Sequence, residues 1–334
     1  MTFKWAKPTN ARNLVAQCAE YVIPEDEFTD VELIGSGHAL VLSRAVHRGQ
    51  RVVIKRWHAA LLDDKARVVF TKRLVRELDS WRRVSHHPNI APVLGVALHI
   101  SSLPALVVPE LRTVMQALTE DSTVDILRLM QGTASALLHL HTQSPPLVHG
   151  DLKGSTVFVS PSGTALLCDI GIAQIPQPPE WTFSGVEDAR WLAPEIMDVN
   201  LRPCTGGRGD PEEAWDADGG RTPEGRMGVT CESDVYSFGM LGYQMHTRTQ
   251  PFASLTWPAS VVVHVVSARG RPLRPSVEQS PQLSDEMWEL IQSCWKHEWD
   301  RRPTMKAIAA WLAVLERVRA VDSSLSASTC ASTE

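Results

Sequence analysis

The apolar pattern of this chain changes period about a third of the way along, and that change limits the folds open to it. From residue 29 to about 112 the apolar residues alternate or run in short β-branched stretches: "VELIGSG", "LVLSRAV", "QRVVIKRW", "APVLGVAL" and "PALVVPE". Alternation places successive side chains on opposite faces of a strand. The glycines between the first two stretches predict a hairpin. One helix interrupts the strands. Residues 62–84 carry Phe70, Leu74, Leu78 and Trp81 at helical spacing, and "HHPN" stops the run, because the residue before a proline disfavours the αR region. Beyond residue 112 the helical period dominates. "TVDILRLMQGTASALLHLHTQ" predicts a helix over about 123–142, and "DVYSFGMLGYQMHT" is apolar nearly all round, as a buried helix is. "DEMWELIQSCWKH" and "TMKAIAAWLAVLERVRAV" predict two more helices, with short strands near 156–159 and 165–168. The expected class is α+β: a small antiparallel β lobe with one helix, joined to a larger, mostly helical lobe.

The 334 residues suit two lobes better than one core. We expect an N-terminal extension over 1–28, a small lobe over 29–112 and a large lobe over 113–319. Residues 200–230 are rich in Gly, Asp, Glu, Pro and Arg and predict a flexible insertion, and 320–334 predict a disordered tail. The formal charge of −5 is too mild to argue for a nucleic-acid partner. No apolar run approaches the roughly 18–20 residues of a membrane span, and "MTFKWAKPTNARN" lacks the apolar core of a secretory signal. The six cysteines show neither C-x-x-C nor zinc spacing. Free thiols in a reducing compartment, and hence a cytoplasmic location, are the expectation. A Cys204–Cys231 bridge stays open as an alternative.

Within this frame several short motifs follow one another in a fixed order. "IGSGHALVL" supplies Gly35 and Gly37 between two strands; "VVIK" ends on Lys55, and Glu77 lies one step around from the apolar stripe of the helix that follows. "HGDLKGST" contains Asp151, Lys153 and Thr156, and "CDIG" contains Asp169. "RWLAPE", "SDVYSFG" and "CWKHEWDRRPTM" close the series. This collinear set, from about Thr29 to Arg319, resembles the protein kinase superfamily, and its last three pieces look most like the tyrosine-kinase-like group of serine/threonine kinases.

The resemblance implies a bilobal fold with ATP in the cleft between the lobes and a protein substrate or partner alongside. The glycine loop would lie over the phosphates, with Ile34, Leu42, Val53 and Phe158 around the nucleotide and Val108 at the back of its pocket. Lys55 would contact the α- and β-phosphates and pair with Glu77. Asp151 would accept the proton of a substrate hydroxyl, and Lys153 would neutralise charge on the transferred phosphate. Asp169 would bind Mg²⁺. Glu195 would pair with Arg302, and Asp234 would hold the backbone of the catalytic loop.

Several positions depart from the family pattern. Thr156 stands where the family has Asn; its one hydroxyl on a short arm reaches metal only through water, which puts a second Mg²⁺ in doubt. Val53 and Phe158 are larger than the family residues and predict a crowded adenine site. Leu40 replaces a third glycine, Gly150 an arginine and Ile170 a phenylalanine. Asp188, where a threonine is usual, would repel Asp151 or compete for Lys153. These departures leave two readings: a serine/threonine protein kinase of weakened activity, and a pseudokinase acting as a non-catalytic binding or scaffold module.

Overall fold

The computed structural model describes residues 19–36, 40–58, 64–101, 103–175, 188–201 and 229–331. The small lobe is a five-stranded antiparallel sheet in the order β1-β2-β3-β5-β4. Its strands are β1 (Phe28–Ser36), β2 (Leu40–His47), β3 (Gln50–Trp57), β4 (Gly95–Ala97) and β5 (Ala105–Pro109), with helix α1 (Asp64–Val84) set between β3 and β4. Ala45, Val52, Ile54, Ala97, Ala105 and Val107 form a core on one face of the sheet. Helix α1 packs on the other face through Phe70, Leu74, Leu78 and Trp81, all buried as the spacing predicts. The indole N–H of Trp81 donates to the Ala91 carbonyl at 2.7 Å, which fixes the end of the helix to the chain entering β4.

The large lobe carries a second sheet, β6 (Arg112–Thr113), β7 (Val157–Val159) and β8 (Ala165–Leu167), and helices α2 (Val114–Glu120), α3 (Ile126–His141) and α4 (Pro194–Met197). Helices α5 (Cys231–Thr247), α6 (Pro258–Val266), α7 (Asp285–Cys294) and α8 (Met305–Ala331) complete it. Helix α5 is buried along almost its whole length, so its apolar circumference is satisfied by neighbours on every side. Capping boxes start α2, at Thr113 and Gln116, and α5, at Thr230 and Ser233. The backbone joins the lobes at two places, among side-chain contacts such as the Asn89 amide on the Ala165 carbonyl. One is the chain from Val108 to Arg112, running from β5 into β6. The other is a backbone exchange in which Leu167 donates to Asn89 at 2.8 Å and Ala91 donates to Leu167 at 2.9 Å.

Some expectations change. The tail expected to be disordered from 320 is helical as far as Ala331; "DSSLSASTCA" contains neither Gly nor Pro to end the helix, so it propagates. Part of the 1–28 extension belongs to the small lobe. Tyr21, Ile23 and Phe28 are buried, and Ile23 donates to the Val96 carbonyl at 2.9 Å. Cys231 is a free thiol, so it forms no bridge to Cys204. The insertion expected over 200–230 lies outside the described residues from 202 to 228. Among the described residues, no helix is long and apolar enough to cross a membrane.

Candidate active site

The strands of the small lobe form the roof of a cleft of about 690 Å³, and β7 with the segment before it forms the floor. Ile34, Leu42, Val53, Lys55, Asp151, Lys153, Thr156, Phe158 and Asp169 all line it. Residues more than a hundred positions apart in sequence thus face one space. Gly35 lies in β1 opposite Leu42 but does not line the cleft, and Gly37 lies outside the described residues. Val108 is buried at the back, paired with Val53 across β3 and β5.

The predicted Lys55–Glu77 pair is replaced in this structure. Lys55 Nζ donates to both carboxylate oxygens of Asp169, at 2.7 and 2.5 Å. Burial by itself would lower the pKa of Lys55, but the charge of Asp169, with Cys168 and Asp151 behind it, outweighs burial and holds the ammonium above its ordinary range. Glu77 is buried, and its carboxylate lies against Gly171: a Cβ placed there would meet Glu77 Oε2 at 2.5 Å. Gly171 has φ +74° and Asp169 has φ +61°. The segment therefore turns through left-handed backbone that glycine and aspartate tolerate, and that turn carries the Asp169 carboxylate to Lys55.

The loop around Asp151 is held from below. Asp234, at the start of α5, accepts backbone N–H groups from His149 and Gly150, both at 2.8 Å. The same carboxylate meets His141 Nε2 at 3.0 Å, a contact the sequence reading did not foresee. Burial would lower the pKa of His141, but its bond to Asp234, aided by Cys231, raises it to about 10. The pairing with Asp234 thus favours the charged imidazolium form of His141. His149 is fully buried; it accepts the Asp151 N–H at Nδ1 and donates from Nε2 to the Cys168 carbonyl at 2.7 Å. That histidine joins the Asp151 loop to the Asp169 segment.

At the loop's tip Lys153 Nζ lies 2.9 Å from Asp151 Oδ1. Thr156 is buried. Its hydroxyl donates to the Asp151 carbonyl at 2.8 Å and accepts the Lys153 N–H at 3.1 Å, so its proton and one of its two lone pairs go to the loop's own backbone. The side chain of Asp188 lies outside the described residues. The crowding expected from Val53 and Phe158 does not close the cleft, whose volume is that of an ordinary ligand pocket, roughly 300–1,000 Å³. The Phe158 ring lies beneath Lys55 Nζ, 5.9 Å from its centroid.

Below the cleft, Arg302 grips Glu195 in a two-pronged pair at 2.6 and 2.8 Å, with side-chain exposures of 0% and 1%. Arg302 also donates to the carbonyls of Lys296 and Glu232. The predicted pair is present, and it ties α4 to the segment before α8.

The comparisons with known proteins agree with this geometry. The protein kinase domain model matches residues 28–215, and the protein tyrosine and serine/threonine kinase model matches residues 222–312. Among the similar curated proteins are the dual specificity protein kinase shkA of Dictyostelium discoideum, 26% identical over 87% of this chain and 50% of its own length, and the serine/threonine-protein kinase CTR1 of Arabidopsis thaliana, 25% identical over 86% of this chain and 31% of its own. The probable serine/threonine-protein kinase pats1 of Dictyostelium discoideum is 24% identical over 86% of this chain and 8% of its own length. The chain thus spans half or less of these relatives. With the ordered motifs, the two-lobed fold and the shared cleft, the matches show that this chain belongs to the protein kinase family.

Proposed function

We propose that this chain transfers the γ-phosphate of MgATP to serine or threonine hydroxyls of protein substrates. The observation that carries this reading is the convergence of Lys55, Asp169, Asp151 and Lys153 on one cleft of nucleotide size. The residues fit a nucleotide with a divalent cation: Asp169 offers a carboxylate of which 18% stays exposed, and Lys55 an ammonium beside it. A bound divalent cation supplies positive charge to the phosphate oxygens. Asp169 would hold it, which requires Lys55 to give up one carboxylate oxygen and turn toward phosphate. Asp151 would orient the substrate hydroxyl and accept its proton, and Lys153, already beside Asp151, would neutralise the transferring phosphate. Thr156 shapes the loop from beneath and leaves Asp169 nearly alone as the metal ligand, so we infer slow turnover.

Phosphorylation of a generic protein substrate, measured for wild type, Asp151→Asn and Thr156→Asn, tests the proposal. Wild type should turn over slowly with a steep dependence on free Mg²⁺ or Mn²⁺, and Asp151→Asn should be inactive. Thr156→Asn should gain about tenfold, or about 1.4 kcal/mol of barrier. Equal activity of wild type and Asp151→Asn would overturn it. Absence of turnover in both wild type and Thr156→Asn would favour the non-catalytic module.

A further inference from the structure

A second cavity, of about 720 Å³, opens beside the nucleotide cleft. The two share Thr113, Lys153 and Ser155, so the second begins where the phosphoryl-transfer loop ends. Its walls come from the catalytic loop, α5 and the segment leading into α6. Trp191 and Trp257 give it an aromatic flank, and Trp257 is 73% exposed.

The charges of this cavity are one-sided. Its charged lining residues are Lys153 and Arg190, and no carboxylate lines it among the described residues. Arg190 is locked in place by the carbonyls of Pro251, Phe252 and Leu255 at 2.6–3.0 Å. The carboxylates nearby line the adjoining cleft instead, and each has a cation beside it, Asp169 having Lys55. Glu110 pairs with Arg44 at 2.6 Å and Arg51 at 3.5 Å, Glu120 with Arg112 at 2.8 Å, and Asp151 with Lys153.

Gln244 gives the cavity its polarity. It is 7% exposed. Its Oε1 accepts the Gly154 N–H at 3.2 Å and the Trp191 indole N–H at 3.1 Å. Both partners are donors only, so the orientation of the amide is fixed. Among the described residues the amide nitrogen has no partner, and its N–H groups are what Gln244 offers to the cavity. The Ser155 hydroxyl lies on the same wall.

We propose that this cavity receives the part of a protein substrate that flanks the phosphorylated hydroxyl, and that it selects an acidic side chain there and rejects a basic one. The inference rests on the kinase reading above and adds the substrate class. An arginine or lysine entering the cavity would lose water and meet donors and cations. A carboxylate would meet the Gln244 amide, the Ser155 hydroxyl and the field of Arg190.

The test uses the full chain with two families of serine/threonine peptides, identical except for Asp/Glu or Arg/Lys at each flanking position. Acidic peptides should be phosphorylated with kcat/KM about tenfold higher at one or more positions, a difference of about 1.4 kcal/mol. Gln244→Glu, which keeps the Oε1 acceptor, should move the preference toward basic peptides. Ser155→Glu, an exposed position, should do the same and guards against misfolding of the buried variant. Equal use of both families, or a basic preference in wild type, would overturn the inference. If no peptide is phosphorylated, the catalytic reading fails separately. Fluorescence anisotropy of the same labelled peptides then decides: tighter binding of the acidic family supports the inference, and equal or absent binding overturns it.

Discussion

Two ion pairs of this molecule look alike on paper and differ in what they can do. Lys55–Asp169 and Glu195–Arg302 each join a cation to both oxygens of a carboxylate at hydrogen-bond distance. Glu195–Arg302 is sealed: its side chains are 1% and 0% exposed, and the guanidinium has further carbonyl partners. Lys55–Asp169 opens onto the cleft, with side-chain exposures of 11% and 18%. A sealed pair cannot exchange partners without leaving a buried charge, which is costly. A pair at a cleft wall can be re-partnered by an incoming phosphate and cation. Similar bond lengths thus seal one pair in place and leave the other, on the function proposed above, able to exchange partners.

Breaking the sealed pair should have the largest effect. Glu195→Ala or Arg302→Ala should cost about 3–5 kcal/mol of stability, read as a large drop in the midpoint of urea unfolding. Replacing both by apolar residues of similar volume should cost much less. The open pair should respond in the opposite sense. Lys55→Met should leave the unfolding midpoint nearly unchanged but abolish the thermal shift produced by ATP and lower turnover by about a hundredfold, or about 2.7 kcal/mol. If Lys55→Met unfolds the chain as Arg302→Ala does, the distinction between the pairs is lost.

The His141–Asp234 contact is a third case, buried and titratable. The pKa of His141 is raised to about 10 by Asp234 once burial is overcome. The stabilisation it gives is complete below the ordinary histidine pKa, about 6.5, and is lost as pH rises through the folded value. His141→Gln should therefore cost about 1.5–3 kcal/mol at pH 7. Its stability should also fall less than that of wild type between pH 8 and 10. Parallel pH profiles for the two proteins would show that His141 is neutral in the folded chain.

Much of the site was legible in the sequence because the kinase motifs are contiguous: Lys55, Asp151, Lys153 and Asp169 stand out among their neighbours. The partner of Lys55 was not. Glu77 and Asp169 are both carboxylates in reach of the cleft region, and the choice between them depends on where α1 sits, which no local pattern encodes. His141 and Gln244 were missed because each lies inside an apolar helix and works through a residue far along the chain. The capping box at Thr113 and Gln116 did carry a local signal, "TVMQ", that could have marked the start of α2. The tail was misjudged because its serine-rich composition outweighed its lack of helix breakers.

The bond between Lys55 and Asp169 also bears on the mechanics of the cleft. Away from it the lobes are joined by the chain near Glu110, the backbone exchange at Leu167, the Asn89 amide on the Ala165 carbonyl and the stacked rings of His87 and His139. Those joints stay in place whatever enters the cleft. Lys55 and Asp169 instead join roof to floor inside the cleft itself, so their bond acts as a latch across the opening. A ligand that parted them would do more than fill space: it would take over the task of holding the roof strand against the floor.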